Sequence, residues 1–149
     1  MKVYSENKKA GFDYEMLEKF EAGIVLFGQE VKSIKTGHIN LSGSYVSLNT
    51  GEPFLLGVKV PPYQPNNAGA DYNTERQRKL LLNKKEIDYL IGKTKTKGFS
   101  LIPLKIYDNN GRIKLEFALA KGKRKYDKKE KIKGRDVERE VNRELRSRE

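Results

Sequence analysis

Residues 99–119 read FSLIPLKIYDNNGRIKLEFAL, and this stretch decides the fold. Its second half alternates between apolar and other side chains, a period of two that is typical of a half-buried strand, with one face formed by Ile113, Leu115, Phe117 and Leu119. Residues 108–111, Asp-Asn-Asn-Gly, are types that adopt positive φ and favour a tight turn. The stretch therefore predicts an antiparallel hairpin whose first strand covers residues 99–107.

Two further segments upstream predict strands. Residues 45–48 and 54–60 are rich in apolar and β-branched types and flank the turn Asn49-Thr50-Gly51, which predicts a second hairpin. Residues 24–27, Ile-Val-Leu-Phe, form a continuous apolar run that predicts a strand buried on both faces. Together these segments give about five short strands.

Three helical segments are predicted around the strands. Asp13 is expected to cap a turn that carries Tyr14, Leu17 and Phe20. Residues 30–36 form a second helix that ends at Gly37, and Asn83 caps a third helix over residues 84–91. Proline, asparagine and glycine mark residues 61–73 as a long loop. The chain is therefore expected to be mainly β, as a small closed or partly closed barrel with about three flanking helices, because closure removes exposed strand edges.

Charge is distributed unevenly along the 149 residues. Lys and Arg number 31 and Asp and Glu 20, a net charge of +11. Residues 1–120 contain 18 basic and 13 acidic groups, net +5, and residues 121–149 contain 13 and 7, net +6. The last segment has few large apolar side chains to offset the entropy of ordering it. We therefore predict a barrel over residues 1–120 and a basic tail over residues 121–149 that is disordered when the protein is free.

The composition excludes several classes of active site. The chain has no cysteine, and His38 is its only histidine, which rules out disulfides, thiolate metal sites, catalytic triads and multi-histidine metal cages. No cofactor, metal or enzymatic activity is expected. No apolar run is long enough for a signal peptide or a membrane span, so a cytoplasmic location without membrane attachment is expected.

Basic residues fall into four groups that predict a polyanionic partner. Any one group is also compatible with an ordinary solvated face, but their common sign favours a surface that follows phosphates. Tyr126 lies among the last cations and is suited to stacking on an exposed base. Charge alone leaves RNA, DNA and an acidic membrane open as partners. The groups are Lys8 and Lys9; Lys32 and Lys35; Arg76, Arg78 and Lys79; and Lys121, Lys123, Arg124 and Lys125.

Several stretches together resemble the SsrA-binding protein family. They run from Asn7 into the tail, at compatible spacing: NKKA at 7–10, FEAGIVL at 20–26, GQEVKSI at 28–34, RQRKLLL at 76–82, KGFSLIPL at 97–104 and AKGK at 120–123. The resemblance implies an oligonucleotide-binding (OB-fold) type of barrel. It also implies binding to the tRNA-like part of transfer-messenger RNA and delivery of that RNA to stalled ribosomes for trans-translation, a form of ribosome rescue.

The resemblance also implies roles for individual residues. Asn7, Glu21 and Leu81 match family positions associated with RNA binding. The tail motif linked to the ribosome matches Lys121, Gly122, Lys123 and Arg124, then Asp127, Lys128 and Lys129, and Tyr126 occupies the place of an aromatic-type residue that stacks in the decoding centre. Arg124 stands where many relatives have Lys, and Lys129 where Arg is common, which changes the donor geometry.

The expected partners follow from the same resemblance. They are transfer-messenger RNA, the small-subunit decoding centre and message channel of the ribosome, and elongation factor Tu through the aminoacylated RNA. The basic tail, residues 121–149, is expected to become helical on the ribosome. The protein is expected to act as a monomer. Two alternatives stay open on the residues alone: an accessory ribosomal or RNA-processing protein with a β-barrel RNA-binding fold, and an enzyme that cleaves or modifies RNA.

Overall fold

The computed structural model describes residues 2–63 and 72–123. Along the chain the elements are β1 (Lys2–Glu6), α1 (Ala10–Asp13), β2 (Tyr14–Ile24), α2 (Gly28–Lys35), β3 (Tyr45–Ser47), β4 (Phe54–Leu56), β5 (Arg78–Leu81), α3 (Lys84–Thr94), β6 (Phe99–Asn109) and β7 (Arg112–Gly122). All strand pairings are antiparallel. Mainly β architecture with three helices is thus confirmed for the described residues.

Six of the strands close into a barrel. The neighbours run β6-β3-β4-β5-β2-β7, and a pairing of β7 with β6 completes the ring, while β1 is added to the outer part of β6. Long β6 pairs with β3 near its start and with β1 near its end. Closure removes the free edges that short strands otherwise present. The predicted barrel is confirmed, but with seven strands in the described ranges rather than about five.

The hairpin predicted from residues 99–119 is confirmed. Asn109 pairs with Arg112, and the two turn residues between them, Asn110 and Gly111, have φ of 54° and 81°. A two-residue turn with positive φ at both positions matches the twist of the flanking strands. The second predicted hairpin, β3 with β4, and the helices α2 and α3 are confirmed as well.

Two predictions for residues 13–27 are wrong. Residues 14–24, expected to contain a helical turn, form the 11-residue strand β2, whose apolar pattern is disturbed by a bulge between Met16 and Glu18. Residues 24–27 are not a strand buried on both faces, because β2 ends at Ile24 and Phe27 is 54% exposed. Side chains in this run alternate instead, since Ile24 and Leu26 pack on the core.

The core fills the barrel and the space beneath two helices. Strand side chains such as Leu80, Leu115 and Phe117 meet Ile34 of α2 and Leu90 of α3 in one buried apolar cluster. Burying such side chains contributes about 1.5–3 kcal/mol each. Within residues 2–63 and 72–123, no helix is long and apolar enough to cross a membrane.

Strand β7 continues past the predicted domain boundary at residue 120. Lys121 and Gly122 pair with Phe99 and Tyr14, so these first two residues of the predicted tail belong to the barrel. Tail residues from Arg124 onward, including Lys125, Tyr126, Asp127, Lys128 and Lys129, lie outside the described residues. Their predicted disorder and ribosome contacts stay predictions.

Candidate nucleic-acid interface

The strand register creates one continuous outward face across five strands. A first row of paired residues crosses the sheet from β5 to β1: Leu81, Gly23, Lys114, Tyr107 and Val3. A second row lies two residues along β2, β7 and β6 and, because of a bulge, three residues along β1: Glu21, Glu116, Lys105 and Glu6. Paired residues of antiparallel strands share a face, so both rows point away from the core. We call the nine positions the β2 face.

Three residues that the resemblance associates with RNA binding are gathered at this face. Glu21 and Leu81 belong to the two rows, and Asn7 directly follows Glu6. Asn7 is nearly buried. Its side-chain amide donates to the carbonyl of Pro103 at 2.9 Å, and its backbone N–H donates to the carbonyl of Leu104 at 2.7 Å. The structure therefore uses Asn7 to fix the end of β1 on β6.

Glu21 is exposed, but its orientation is fixed by a buried partner. The hydroxyl of Tyr107, a residue only 3% exposed, donates a hydrogen bond to Oε2 of Glu21. Burial, this bond and the charges of Glu21 and Glu116 raise the pKa of Tyr107 well above its usual range, so the phenol remains a donor. Glu21 is thus presented as an oriented hydrogen-bond acceptor among charged neighbours, including an ion pair of Lys105 with Glu116 at 3.7 Å.

Leu81 lies at the β5 edge of the β2 face. Its side chain is 56% exposed, which is unusual for leucine. It lies over Gly23 of the neighbouring strand, where an added Cβ would approach Leu81 Cβ and Cδ1 to 3.3 Å. Gly23 therefore leaves the space that Leu81 occupies, and an apolar surface is presented beside the Glu21 carboxylate.

A second cluster of charges is buried behind helix α2. Glu30, 0% exposed, accepts from Arg76 at 2.5 Å, from Nε and Nη2 of Arg78 at 2.9 and 2.7 Å, and from the N–H of Phe27 at 2.8 Å. Arg78, 1% exposed, also donates to the carbonyls of Val58 and Thr74. We call Glu30, Arg76 and Arg78 the arginine cluster.

The electrostatics of the arginine cluster favour an ionised Glu30. Burial opposes ionisation, but hydrogen bonds from Arg76, Phe27 and Arg78 and the charge of Arg78 outweigh it and hold the pKa of Glu30 below its ordinary value of 4.5. The same carboxylate, together with burial, raises the pKa of Tyr72, whose hydroxyl donates to Val60. Every described charge in this cluster is satisfied within the protein.

The arginine cluster gives Arg76 and Arg78 a structural role that the sequence interpretation did not include. Arg76 and Arg78 were expected to follow phosphates, but their guanidinium groups are bound to Glu30 and to backbone carbonyls, including Val25 at 3.1 Å. Arg76 also lies 4.0 Å above the ring of Phe27. Their geometry suits support of the outer residues Val25 and Phe27. A direct RNA contact by either arginine stays a prediction.

Comparison with known proteins fits this arrangement. The family model described as SmpB protein matches residues 4–147.

This chain belongs to the SmpB family.

Its relatives are close over nearly the whole length. An SsrA-binding protein from Sulfurihydrogenibium sp. (strain YO3AOP1) is 51% identical over 140 residues, 94% of this chain and 91% of the relative. One from Geobacillus kaustophilus (strain HTA426) is 47% identical over 150 residues, 99% and 95% of the two chains. A solved structure described as "tmRNA-SmpB: a journey to the center of the bacterial ribosome" has TM-score 0.67 at 44% identity, covering 85% of this chain and 92% of its own. The family predicted from the sequence is confirmed.

The predicted lysines are spread over several elements of this SmpB-family protein. Lys8, Lys9, Lys32, Lys35 and Lys79 are all exposed. Lys79 points outward from β5, two residues before Leu81, and pairs with Glu52 at 3.7 Å. Lys32 lies 5.9 Å from the ring centre of Tyr63. Of these cations, the register places Lys79 beside the β2 face; the RNA contacts predicted for all five stay predictions.

Lys123 is tied to the barrel. Its backbone N–H donates to Asp13 at 3.0 Å and its ammonium group to Gly11 at 2.9 Å. Lys121 is exposed at the end of β7. The basic segment predicted to contact the ribosome therefore begins from a fixed point next to α1.

Sequence reasoning missed several residues of the β2 face. Tyr107, Lys105, Gly23 and Glu116 were not singled out, although a strand over residues 99–107 places Lys105 and Tyr107, two positions apart, on a common face. The sequence alone does not give the register between distant strands, and that register brings Tyr107 to Glu21, 86 positions away.

Proposed function

We propose that this protein binds the tRNA-like part of transfer-messenger RNA through the β2 face and delivers that RNA to stalled ribosomes for trans-translation. Membership of the SmpB family supports this, since relatives are described as SsrA-binding proteins and the matched solved structure as tmRNA-SmpB on the bacterial ribosome. The observation that carries the proposal is the register that brings Glu21 and Leu81 onto one outward face, with the buried Asn7 fixing the end of β1 beside it.

The chemistry of the β2 face fits a folded RNA with unstacked bases. Leu81 offers an apolar contact for a base or ribose. Glu21 repels phosphate but accepts hydrogen bonds from base amino groups and 2′-hydroxyls, groups that become accessible where RNA is not in a regular helix. Lysines such as Lys79 contribute the sequence-independent attraction to the backbone. Recognition then depends on shape, with charge supplying affinity.

The remaining features of this function concern the rest of the chain. The basic tail, residues 124–149, enters the message channel of the small subunit, with Tyr126 stacking in the decoding centre. Elongation factor Tu binds the same aminoacylated RNA and not the protein alone. The protein works as a cytoplasmic monomer, and it acts by binding without catalysing a reaction. An accessory ribosomal or RNA-processing role is the alternative that binding assays must exclude.

Competition binding tests the proposal. The full chain is mixed with labelled transfer-messenger RNA and increasing unlabelled competitor, and we expect ordinary tRNA to compete much less well than transfer-messenger RNA. Leu81→Ala, on an exposed site, should weaken binding without destabilising the barrel. Equal competition by the two RNAs would favour the accessory ribosomal role instead.

Truncation separates the two parts of the function. Because β7 runs through Gly122 and Lys123 is bonded to α1, a chain ending at Lys123 retains the barrel. We expect this variant to bind transfer-messenger RNA with nearly full affinity and to fail to support tagging on stalled ribosomes. Tagging at the full rate by the truncated chain would contradict the role of the tail.

A further inference from the structure

A cleft of about 680 Å³ opens at the end of the barrel where β6 begins. One wall comes from β3 and the segment after it, another from α1 and the start of β2, and the third from the end of α3. Among its lining residues are Lys9, Tyr45, Val46, Asn49, Lys95 and Leu101. None of them belongs to the β2 face.

The cleft meets the edge of the β2 face at Asn7, which lines the cleft and directly follows Glu6, but the rest of it is remote from that face. In the ring of six strands, β3 is three positions from β2 in either direction, so it lies on the opposite side of the barrel. Along β2, the cleft residue Tyr14 is nine residues from Gly23, roughly 25–30 Å at about 3.3 Å per residue. An RNA surface bound around Glu21 and Leu81 therefore leaves the cleft open.

The lining of the cleft has the chemistry of a nucleotide site. Tyr45 is 49% exposed, so its ring has an accessible surface on a strand whose inner residue, Val46, is buried. Lys9 and Lys95 are exposed cations from different walls. An aromatic ring beside cations is the combination that stacks a base and neutralises its phosphate in single-stranded RNA sites.

The β3–β6 seam keeps the cleft open. Val46 with Leu101 is the single residue pair between these strands, whereas β6 and β7 pair along almost their whole length. The hydroxyls of Ser44 and Thr94 donate to carbonyls of their own segments and hold the walls. The cleft is therefore built from local structure and does not require a ligand to form.

The basic tail starts at the rim of this cleft. Lys123 is bonded to the carbonyls of Gly11 and Asp13, and Asp13 is a lining residue. Residues 124–149 continue from that point and contain 11 basic and 7 acidic groups, net +4. An RNA that binds the basic tail is therefore held near the mouth of the cleft.

We infer that the cleft is a second RNA site, which takes one unpaired nucleotide of ribosomal RNA with its base on Tyr45 and its phosphate near Lys9 and Lys95. The inference rests on the proposed function, because it assumes that the tail leads the protein onto the ribosome. It adds that the barrel itself contacts two RNAs, transfer-messenger RNA at the β2 face and ribosomal RNA at the opposite end. Stacking on Tyr45 would secure the barrel at the point where the tail departs.

The test uses the preformed complex of the full chain with transfer-messenger RNA. Fluorescence anisotropy measures binding of a labelled five-residue oligoadenylate, and a pelleting assay measures binding of the complex to purified ribosomes. Tyr45→Ala should weaken both by roughly tenfold, the effect of losing one base stack, whereas Tyr45→Phe keeps the ring and should stay within about twofold of the wild type. Lys95→Gln should weaken both less than Tyr45→Ala does.

The outcomes separate this inference from the function on which it rests. Unchanged affinity for transfer-messenger RNA, with weakened oligoadenylate and ribosome binding, is the expected result for Tyr45→Ala. Equal binding of the oligonucleotide and of ribosomes by Tyr45→Ala and wild type would overturn the cleft site and leave the proposed function standing. A cross-link from a photoreactive residue at Tyr45 to ribosomal protein, with none to RNA, would overturn it too.

Discussion

Glu30 and Glu21 lie nine residues apart, and the protein uses their carboxylates in opposite ways. Glu30 is fully buried and bound by two arginines and a backbone N–H, so all its neighbours belong to the protein. Glu21 is exposed and held by one buried hydroxyl, that of Tyr107, which fixes its direction. The first carboxylate stabilises the fold, whereas the second is presented to a partner.

The comparison shows that a count of basic residues does not give the charge that is exposed to a partner. Arg76 and Arg78 belong to one of the basic groups of the barrel sequence, yet both are paired with Glu30. Buried charges are tolerated only when they are paired and hydrogen-bonded, and this pairing turns both guanidinium groups toward Glu30, whose charge cancels one of their two. The β2 face instead includes three glutamates, Glu6, Glu21 and Glu116, and an exposed leucine, a composition that favours recognition of RNA shape over general attraction.

The largest expected effect is the loss of the carboxylate in the arginine cluster. Glu30→Ala leaves Arg78 buried without its partner, so we expect the free energy of unfolding to fall by about 3–5 kcal/mol in urea denaturation. Glu52→Ala is the matched control, because it breaks the exposed pair with Lys79 and should cost less than about 1 kcal/mol. Similar losses for the two variants would show that the arginine cluster contributes no more than a surface pair.

The same cluster predicts a pH dependence of stability. The folded pKa of Glu30 is lowered below 4.5, so its contribution is present above pH 4.5 and is lost as the pH falls through the folded value. Urea denaturation of wild type and Glu30→Gln from pH 7 to pH 3 should therefore show the two stabilities converging at the acid end. Parallel curves over this range would mean that Glu30 does not carry the expected proton linkage.

The sequence predicted the elements with undisturbed periodicity. Residues 113–119 and the helices α2 and α3 follow a single period with a defined turn or end, and all were confirmed. Strand β2 was mistaken for a helical turn because its bulge after Met16 shifts the alternation, leaving Tyr14, Leu17 and Phe20 at helix-like spacing. A local pattern cannot reveal a bulge that is imposed by pairing with β7.

Strand β5 and the arginine cluster show a second limit. In β5 the inward positions are Arg78 and Leu80 and the outward ones Lys79 and Leu81, so the usual apolar-inside pattern is broken at both ends. Only the position of Glu30, 48 residues away, explains a buried arginine here. The resemblance found Asn7, Glu21 and Leu81, whereas Tyr107 depends on cross-strand register that single-sequence reasoning does not supply.

Glu21→Gln separates recognition from stability. We expect the affinity for transfer-messenger RNA to fall roughly tenfold or more, since hydrogen bonds to a charged group contribute about 1.5–3 kcal/mol, while the unfolding free energy changes little. Glu15→Gln is the control, as Glu15 is another exposed carboxylate on β2, away from the face. Removing it lowers repulsion of phosphate, so its affinity should stay equal or rise. A rise for both variants would show that Glu21 acts only as a negative charge.

Tyr107→Phe tests whether the direction of Glu21 matters. The variant deletes the hydroxyl bonded to Glu21 and keeps the buried ring, so RNA affinity should fall about two- to tenfold, the effect of one hydrogen bond. Tyr89→Phe removes a similar hydroxyl, bonded to Glu18 on the same strand, and should leave RNA affinity unchanged. In a Glu21→Gln background the Tyr107 effect should shrink. Equal effects in both backgrounds would place the role of Tyr107 elsewhere.

The smallest expected effect concerns the glycine beneath Leu81. A Cβ at Gly23 would lie 3.3 Å from Leu81 Cβ and Cδ1, closer than ordinary contact, and the backbone there does not require positive φ. Gly23→Ala should therefore fold normally but shift the Leu81 side chain by a few tenths of an ångström, lowering RNA affinity two- to threefold in the same titration. Combining it with Leu81→Ala decides the cause, because alanine removes the close Cδ1 atom and keeps only the Cβ contact. The two changes should then be less than additive, since residues in direct contact couple whereas distant ones do not. Full additivity would mean that Gly23 itself approaches the RNA backbone, and that the apolar surface extends from β5 onto β2.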